Sequence, residues 1–221
     1  MKITLNYITH KDCPLDVREK FSLTETQVSG LFEFAEGHPL IEEFAVLQTC
    51  NRLEFYGDVS EKCDFSEFIT AFFKKIKPEF RDLWKKYCKE MQNIDAVDHL
   101  FSVAAGLRSQ VLGENQILSQ VKSAYSLSIK HNMSSLVFHK MFHNAFRAGK
   151  AVRTETEINS GAVSMSLAAV ELARKKVSLK SSRVLLIGAG QNAQMIASYL
   201  LEAGVSNLVI ANRNQSKAQI L

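Results

Sequence analysis

The chain has 221 residues, 46% of them hydrophobic and 23% charged, which suits a soluble globular protein of one large domain or two small ones. No apolar run is long enough to cross a bilayer, and the opening MKITLNYITH lacks the apolar stretch of a secretory signal, so a cytoplasmic protein is expected. The cysteines Cys13, Cys50, Cys63 and Cys88 show no CxxC spacing, which argues against a disulfide framework or a sequence-local zinc site, and the net charge of +4 is unevenly spread.

Lys2 to Thr9 alternates Ile3, Leu5 and Tyr7 with polar residues and reads as a half-buried strand. His10 to Pro14 turns the chain into a short helix through Phe21, and Thr24 with Gln27 forms a capping box for a second helix ending near Gly37 and Pro39. Two strands follow, Glu43 to Thr49 and Leu53 to Val59, with Thr49, Cys50, Asn51 and Arg52 at their junction. An extended junction would put Cys50 and Arg52 on one face, where a guanidinium favours the nucleophilic thiolate. A lone cysteine is more often buried and inert, so spacing alone does not make it a nucleophile.

Asp64 with Glu67 caps a helix whose Phe65, Phe68, Ile69, Phe72, Phe73 and Ile76 recur at helical spacing until Pro78. Arg81 to Gln92 reads equally as a helix or a strand. A helix from about Asp95 to Leu107 buries Val97, Leu100, Phe101 and Ala104, which leaves His99 looking away from the core. Gly106 and Gly113 bracket a connection containing Ser109, and Glu114 precedes a helix with the stripe Ile117, Leu118, Val121 and Tyr125. The helix from Ser134 to about Val152 buries Phe138, Met141, Phe142, Ala145 and Phe146, while His139, His143, Arg147 and Lys150 stack on its other side.

From Asn115 to Thr154 there is no Asp or Glu, whereas Lys122, Lys130, Lys140, Arg147, Lys150 and Arg153 all fall within that stretch. Such a surface suits a polyanionic partner better than a merely solvated face. Ser160 is expected to cap a helix through Val163, Leu167, Val170 and Ala173, opening a second domain. Arg183 to Ile187 then reads as a strand buried on both faces of a parallel sheet, followed by Gly188, Gly190 and Ala193 as GxGxxA, a helix from Gln191 to Ala203 and a strand from Asn207 to Ala211. Arg213 stands near the place of the acid that would bind a ribose hydroxyl, so a 2′-phosphate, and hence NADPH, is favoured over NADH.

Together these stretches resemble the glutamyl-tRNA reductase family. The likeness rests on TCNRLEFY at 49–56, HLFSVAAGLRSQVLGENQILSQVKSAY at 99–125, GKAVRTETEI at 149–158, SGAVSMSLAAVELA at 160–173 and VLLIGAGQNAQMI at 184–196. It implies an α/β chain: an α+β catalytic, glutamyl-tRNA-binding domain at 1–158, with a ferredoxin-like core and added helices, then the start of a Rossmann-type doubly wound NADPH domain at 159–221. Cys50 would be the nucleophile and His99 a proton donor or acceptor, with Thr49, Asn51, Arg52, Ser109, Glu114, Asn115, Gln116 and Gln120 lining the glutamyl site. Arg52 would grip the substrate's side-chain carboxylate. Gly188, Ala189, Gly190, Gln191, Asn192 and Ala193 would hold the NADPH pyrophosphate.

The implied reaction passes glutamate from tRNA to Cys50 as a thioester and reduces it to glutamate-1-semialdehyde, the first step of tetrapyrrole synthesis. Family partners would be tRNA(Glu), glutamate-1-semialdehyde aminomutase and, through a C-terminal dimerisation domain, a second copy. The chain departs from the family pattern with DCP at 12–14 for TAP, Arg108 for Asp, Asn115 for Pro, Ser119 for Gly and Glu157 for Gly. It stops after the second nucleotide-fold strand, so full reductase activity is expected to need more chain. A shikimate-dehydrogenase-like reductase accounts for VLLIGAGQNAQ and ANRNQSKA but not for TCNR or the acid-free stretch, and a non-reducing tRNA-binding fragment is the third reading.

Overall fold

Every residue of Arg52–Val59 is buried, although the segment contains Arg52, Glu54 and Asp58, because this strand lies inside a sheet covered on both faces. The computed structural model describes residues 1–159 and 165–220, which fall into two units, Met1–Ile158 and Asn159–Leu221. In the first unit, β1 (Lys2–Thr9), β2 (Ile41–Gln48), β3 (Arg52–Val59) and β4 (Lys89–Gln92) form an antiparallel sheet in the order β2-β3-β1-β4. With helices between β1 and β2 and between β3 and β4, this is the βαββαβ arrangement of a ferredoxin-like core.

Alternation along the strands divides the core in two. Ile8, Phe44, Val46, Leu53 and Phe55 face α2 (Glu25–Glu36), α3 (Phe65–Ile76) and Trp84 of α4 (Arg81–Tyr87), which come after the short α1 (Leu15–Arg18). Leu5, Tyr7, Ala45, Leu47 and Tyr56 face α5 (Asn93–Ala104), α6 (Asn115–Lys130) and α7 (Leu136–Glu155). The capping box at Thr24 and Gln27 is present, and the Asp64 side chain accepts the Glu67 N–H, as those sequences predict. Arg81 to Gln92 is both a helix and a strand, α4 and then β4, broken at Cys88.

Three expectations change. His99 is 1% exposed and does not look away from the core. Leu100 and Ala104 of the expected α5 stripe are buried, but Ala96, His99 and Val103 complete that face while Val97 and Phe101 are only partly buried, and the polar partner on β3 described below accounts for His99. Arg153 turns inward, its Nη1 donating to the Ala104 carbonyl at 2.8 Å and its Nη2 to the Glu114 carbonyl at 3.1 Å, so it fastens α7 to α5 and to the start of α6 instead of joining the basic surface.

The third change is in the second unit. It contains α8 (Met165–Lys176), the parallel pair β5 (Arg183–Ile187) and β6 (Asn207–Ala211), α9 (Gln191–Glu202) and α10 (Gln215–Ile220). The Ser160 cap lies outside the described residues. β5 is not buried on both faces: Val184 packs with Val170, Leu200 and Leu208, whereas Leu185 is 59% and Ile187 80% exposed.

Candidate active site

The hairpin joining β2 to β3 does not stay extended. The Thr49 N–H donates to the Arg52 carbonyl at 2.9 Å, and the Asn51 N–H donates to Thr49 Oγ1 at 3.1 Å, which closes a tight tip with bends at Cys50 and Asn51. Cys50 and Arg52 therefore do not share a face: Cys50 is exposed at the tip, and Arg52 is buried at the start of β3. The tip is held from outside. The His10 N–H donates to the Asn51 carbonyl at 2.9 Å, and Arg18 Nε of α1 donates to the Cys50 carbonyl at 3.1 Å.

Beneath the tip lies a buried polar network. Arg52 and Glu54, two apart on β3, share the face that meets α5. Arg52 Nη1 donates to Glu54 Oε1 at 2.7 Å, His99 Nε2 lies 2.9 Å from the same oxygen, and the Tyr56 hydroxyl donates to Oε2 at 2.6 Å. Tyr7, opposite Glu54 on β1, packs its ring 4.7 Å from the His99 ring. Burial by itself would raise the Glu54 carboxyl, but the charges of His99 and Arg52 and the bonds from His99 and Tyr56 outweigh it and hold the group down at about 2. Burial, reinforced by Glu54, pushes the Tyr56 phenol well above its ordinary value.

The loop between α5 and α6 closes over this network. Arg52 Nη2 donates to the Arg108 carbonyl at 2.6 Å, which ties that loop to β3. Gly106 and Gly113 have φ of +82° and +77°, and a side chain on Gly113 would run into the Ile158 carbonyl, so the loop's glycines are fixed both by conformation and by space. Burial raises the Glu114 carboxyl and Arg52 opposes it, which puts Glu114 within the field of the guanidinium. Burial, with Arg52, Lys11 and Arg18, pushes the His10 imidazole below its ordinary value.

The structure thus brings Arg52 and His99 onto one buried carboxylate, with Thr49, Cys50 and Asn51 at the adjoining hairpin tip, Ser109 on the loop that Arg52 holds through the Arg108 carbonyl, and Glu114 within the influence of the Arg52 charge. Asn115, Gln116 and Gln120 follow on the first turns of α6, Asn115 exposed and the other two half-buried. Arg52 does not offer an open fork for a substrate carboxylate, since it is 2% exposed and each Nη already has a protein acceptor. Sequence reasoning missed Glu54, although its signal was present: an acid two residues after Arg52 on a strand with no solvent face. It also missed Arg18, which sequence distance hides.

In the second unit, Gly188 has a φ of +111°, and a Cβ on Gly190 would meet no atom within 4 Å. The open space over Gly190 lies at the N-terminus of α9, whose first-turn N–H groups suit a phosphate. A cleft of about 230 Å³ there is lined by Ala189, Gly190, Asn212, Arg213, Asn214 and Lys217, with Arg213 exposed. These residues fit a phosphate-bearing dinucleotide. On the first unit, His139, His143, Arg147 and Lys150 form an exposed stripe along α7, and Tyr125 lies 2.8 Å from His139 Nδ1. Among the described residues there is no cluster of three or more metal-ligating side chains and no helix long and apolar enough to cross a membrane.

Comparison with known proteins agrees with this division. Residues 7–156 match the family model "Glutamyl-tRNAGlu reductase, N-terminal domain", and residues 171–221 match the model "Shikimate / quinate 5-dehydrogenase". The whole chain is 41% identical to a glutamyl-tRNA reductase of Microcystis aeruginosa and 39% identical to one of Synechocystis sp., covering 52% of each. Among solved structures, 99% of the chain superimposes on 51% of a glutamyl-tRNA reductase from Methanopyrus kandleri, with a TM-score of 0.66 at 33% identity. The chain spans about half the length of the curated relatives it matches.

Proposed function

The chain belongs to the glutamyl-tRNA reductase family, and we propose that its larger unit accepts the glutamyl group of glutamyl-tRNA on Cys50, for NADPH-dependent reduction to glutamate-1-semialdehyde. The observation that carries this reading is an exposed thiol at a tip pinned from two sides, standing over the buried Arg52–Glu54–His99 network. The Cys50 sulfur attacks the ester carbonyl that joins glutamate to the tRNA, a C–S bond forms, and the C–O bond to the tRNA breaks. The departing oxygen needs a proton. His99, held by Glu54 through Nε2, keeps Nδ1 without a hydrogen-bond partner among the described residues and serves as the group that moves that proton. Arg52 orders the site: it fixes Glu54 on one side and the Arg108 carbonyl on the other.

The turn from Gly188 to Ala193 and Arg213 would hold NADPH, which would supply the hydride that takes the acyl group to the aldehyde level. The likeness of residues 171–221 to shikimate dehydrogenases supports this nucleotide role and offers no rival for the thiol-bearing unit. Residues 1–158 then form the catalytic, tRNA-binding part and 159–221 the beginning of the NADPH part. Incubation with glutamyl-tRNA and intact-mass detection of a glutamyl adduct tests the reading. The adduct is expected on the wild type and absent from Cys50→Ser, whose tRNA affinity should stay within about twofold because one thiol contributes little to holding a large polyanion. An adduct that survives Cys50→Ser would overturn the assignment.

A further inference from the structure

The proposed acyl transfer needs two proton movements, one off the thiol and one onto the departing oxygen, and His99 accounts for the second. It is poorly placed for the first. Its Nε2 is held by Glu54, its ring lies against Tyr7 and it is 1% exposed, whereas Cys50 is exposed at the hairpin tip. Glu54 is no better, since both its oxygens are taken and its carboxyl is held at about 2. Of the two residues that pin the tip from outside, Arg18 is a fixed cation, and His10 carries a ring that exchanges protons. His10 directly follows Thr9, the β1 partner of Arg52, and its N–H to the Asn51 carbonyl at 2.9 Å sets it beside the residue after Cys50. Its Nδ1 is buried with no hydrogen-bond partner among the described residues. Burial, then Arg52 of β3, the adjacent Lys11 and Arg18 of α1 push the imidazole below its ordinary value, while the Asn51 carbonyl pulls the other way. The ring is therefore uncharged at neutral pH, the form that accepts a proton.

We propose that His10 is the base that takes the proton of the Cys50 thiol. The proposal rests on the reading that Cys50 is the acyl acceptor. The S–H proton passes to the imidazole, the thiolate forms the C–S bond, the C–O bond breaks, and the ribose oxygen leaves with the proton that His99 supplies. His10 is left as an imidazolium, and it returns its proton when the acyl group departs and frees Cys50 as a thiolate. The cations around the ring serve both states: they keep His10 uncharged before the transfer, and Arg18, bonded to the Cys50 carbonyl, favours the thiolate after it.

Two acyl donors test this on the full chain, with the rate of Cys50 acylation read by peptide mass from pH 6 to pH 9. Nitrophenyl acetate, whose leaving group departs without a proton, reports on the thiol and its base; glutamyl-tRNA reports on the whole site. With nitrophenyl acetate the wild-type rate is expected to rise until the imidazole loses its proton and to change little from pH 7 to pH 8.5. In His10→Ala and His10→Gln it should fall about a hundredfold at pH 7 and then climb about tenfold per pH unit as hydroxide replaces the base, so that the deficit narrows towards pH 9. Free imidazole should restore much of the rate in His10→Ala and little in His10→Gln, whose side chain fills the space. An unchanged rate at pH 7, a deficit of the same size at every pH, or no rescue of His10→Ala overturns the proposal, and should His10→Ala fail to fold, the pH profile of His10→Gln decides. Acylation by nitrophenyl acetate that depends on His10, with no adduct from glutamyl-tRNA, would sink the proposed function and leave the base assigned. Acylation by glutamyl-tRNA that is equally fast without His10 would do the reverse.

Discussion

Glu54 carries a charge where burial opposes one, and this makes the site acid-sensitive in a defined window. Its carboxyl lies at about 2 in the folded protein against an ordinary 4.5, so the folded state holds fewer protons than the unfolded state between those values. The stabilisation is fully present above pH 4.5 and is lost as pH falls towards 2. It amounts to about 3 kcal/mol at most. Urea midpoints measured from pH 5 to pH 2 should show this loss in wild type. Glu54→Gln should lack that segment and be less stable by about 3–5 kcal/mol at pH 7, because Arg52 is left buried without its counter-charge; a wild-type-like midpoint would contradict the network. Of this site, the sequence made Cys50 and Arg52 visible through their junction between two strands. The relation between them was not visible, because it depends on hydrogen bonds at the tip that break the two-residue alternation at Cys50 and Asn51.

Among the elements, α7 shows how far a cap can lie from its helix. Ser135, the residue at its N-cap, makes no side-chain cap bond; instead Glu43 of β2 accepts the N–H groups of Ser135, Val137 and Phe138 at 2.8, 2.9 and 2.8 Å. No local capping rule could find a residue more than ninety positions away, whereas the local caps at Thr24 and Asp64 were legible because donor and acceptor are three residues apart. Glu43→Gln should destabilise the first unit by about 2–4 kcal/mol, read from urea unfolding, since an amide replaces one acceptor oxygen with donors facing donors. The exposed stripe on α7 faces a different test. If His139, His143, Arg147 and Lys150 meet tRNA phosphates, binding should weaken steeply with salt, and Arg147→Ala and Lys150→Ala should each reduce the log–log slope by about 0.9 or less. A salt-independent affinity would mean that the stripe serves another purpose. On α5, Leu100 and Ala104 were legible as buried, but His99 was not, for a related reason: only Glu54 on the sheet draws the face containing His99 inward.

At the scale of the whole molecule, the two units differ in how much they have covered. In the first, a single sheet separates two cores, so β3 has no solvent face and its polar residues are held rigidly. In the second, one face of the β5–β6 pair leaves Leu185 and Ile187 open, so the long apolar run of β5 suggested more burial than the described chain provides. The nucleotide turn can be tested separately from folding. Gly190→Ala should leave the thermal midpoint nearly unchanged, because its Cβ meets nothing in the protein, yet weaken NADPH binding at least tenfold by filling the phosphate space; equal NADPH affinity would place the pyrophosphate elsewhere. The strand β2 has one more consequence. At one end Glu43 grips the start of α7, and just past the other end stands Cys50, a reach of roughly 23 Å at about 3.3 Å per extended residue. Because Phe44 and Val46 belong to one core and Ala45 and Leu47 to the other, adding a single residue in regular register would swap the two sets, whereas adding two, about 6.6 Å, would preserve both. The span from the start of α7 to the thiol is therefore set by the two-residue period of β2: a change of length keeps both cores only in even steps, or where a bulge takes up the odd residue, as the register shift between Ile41 and Glu43 shows this strand can do.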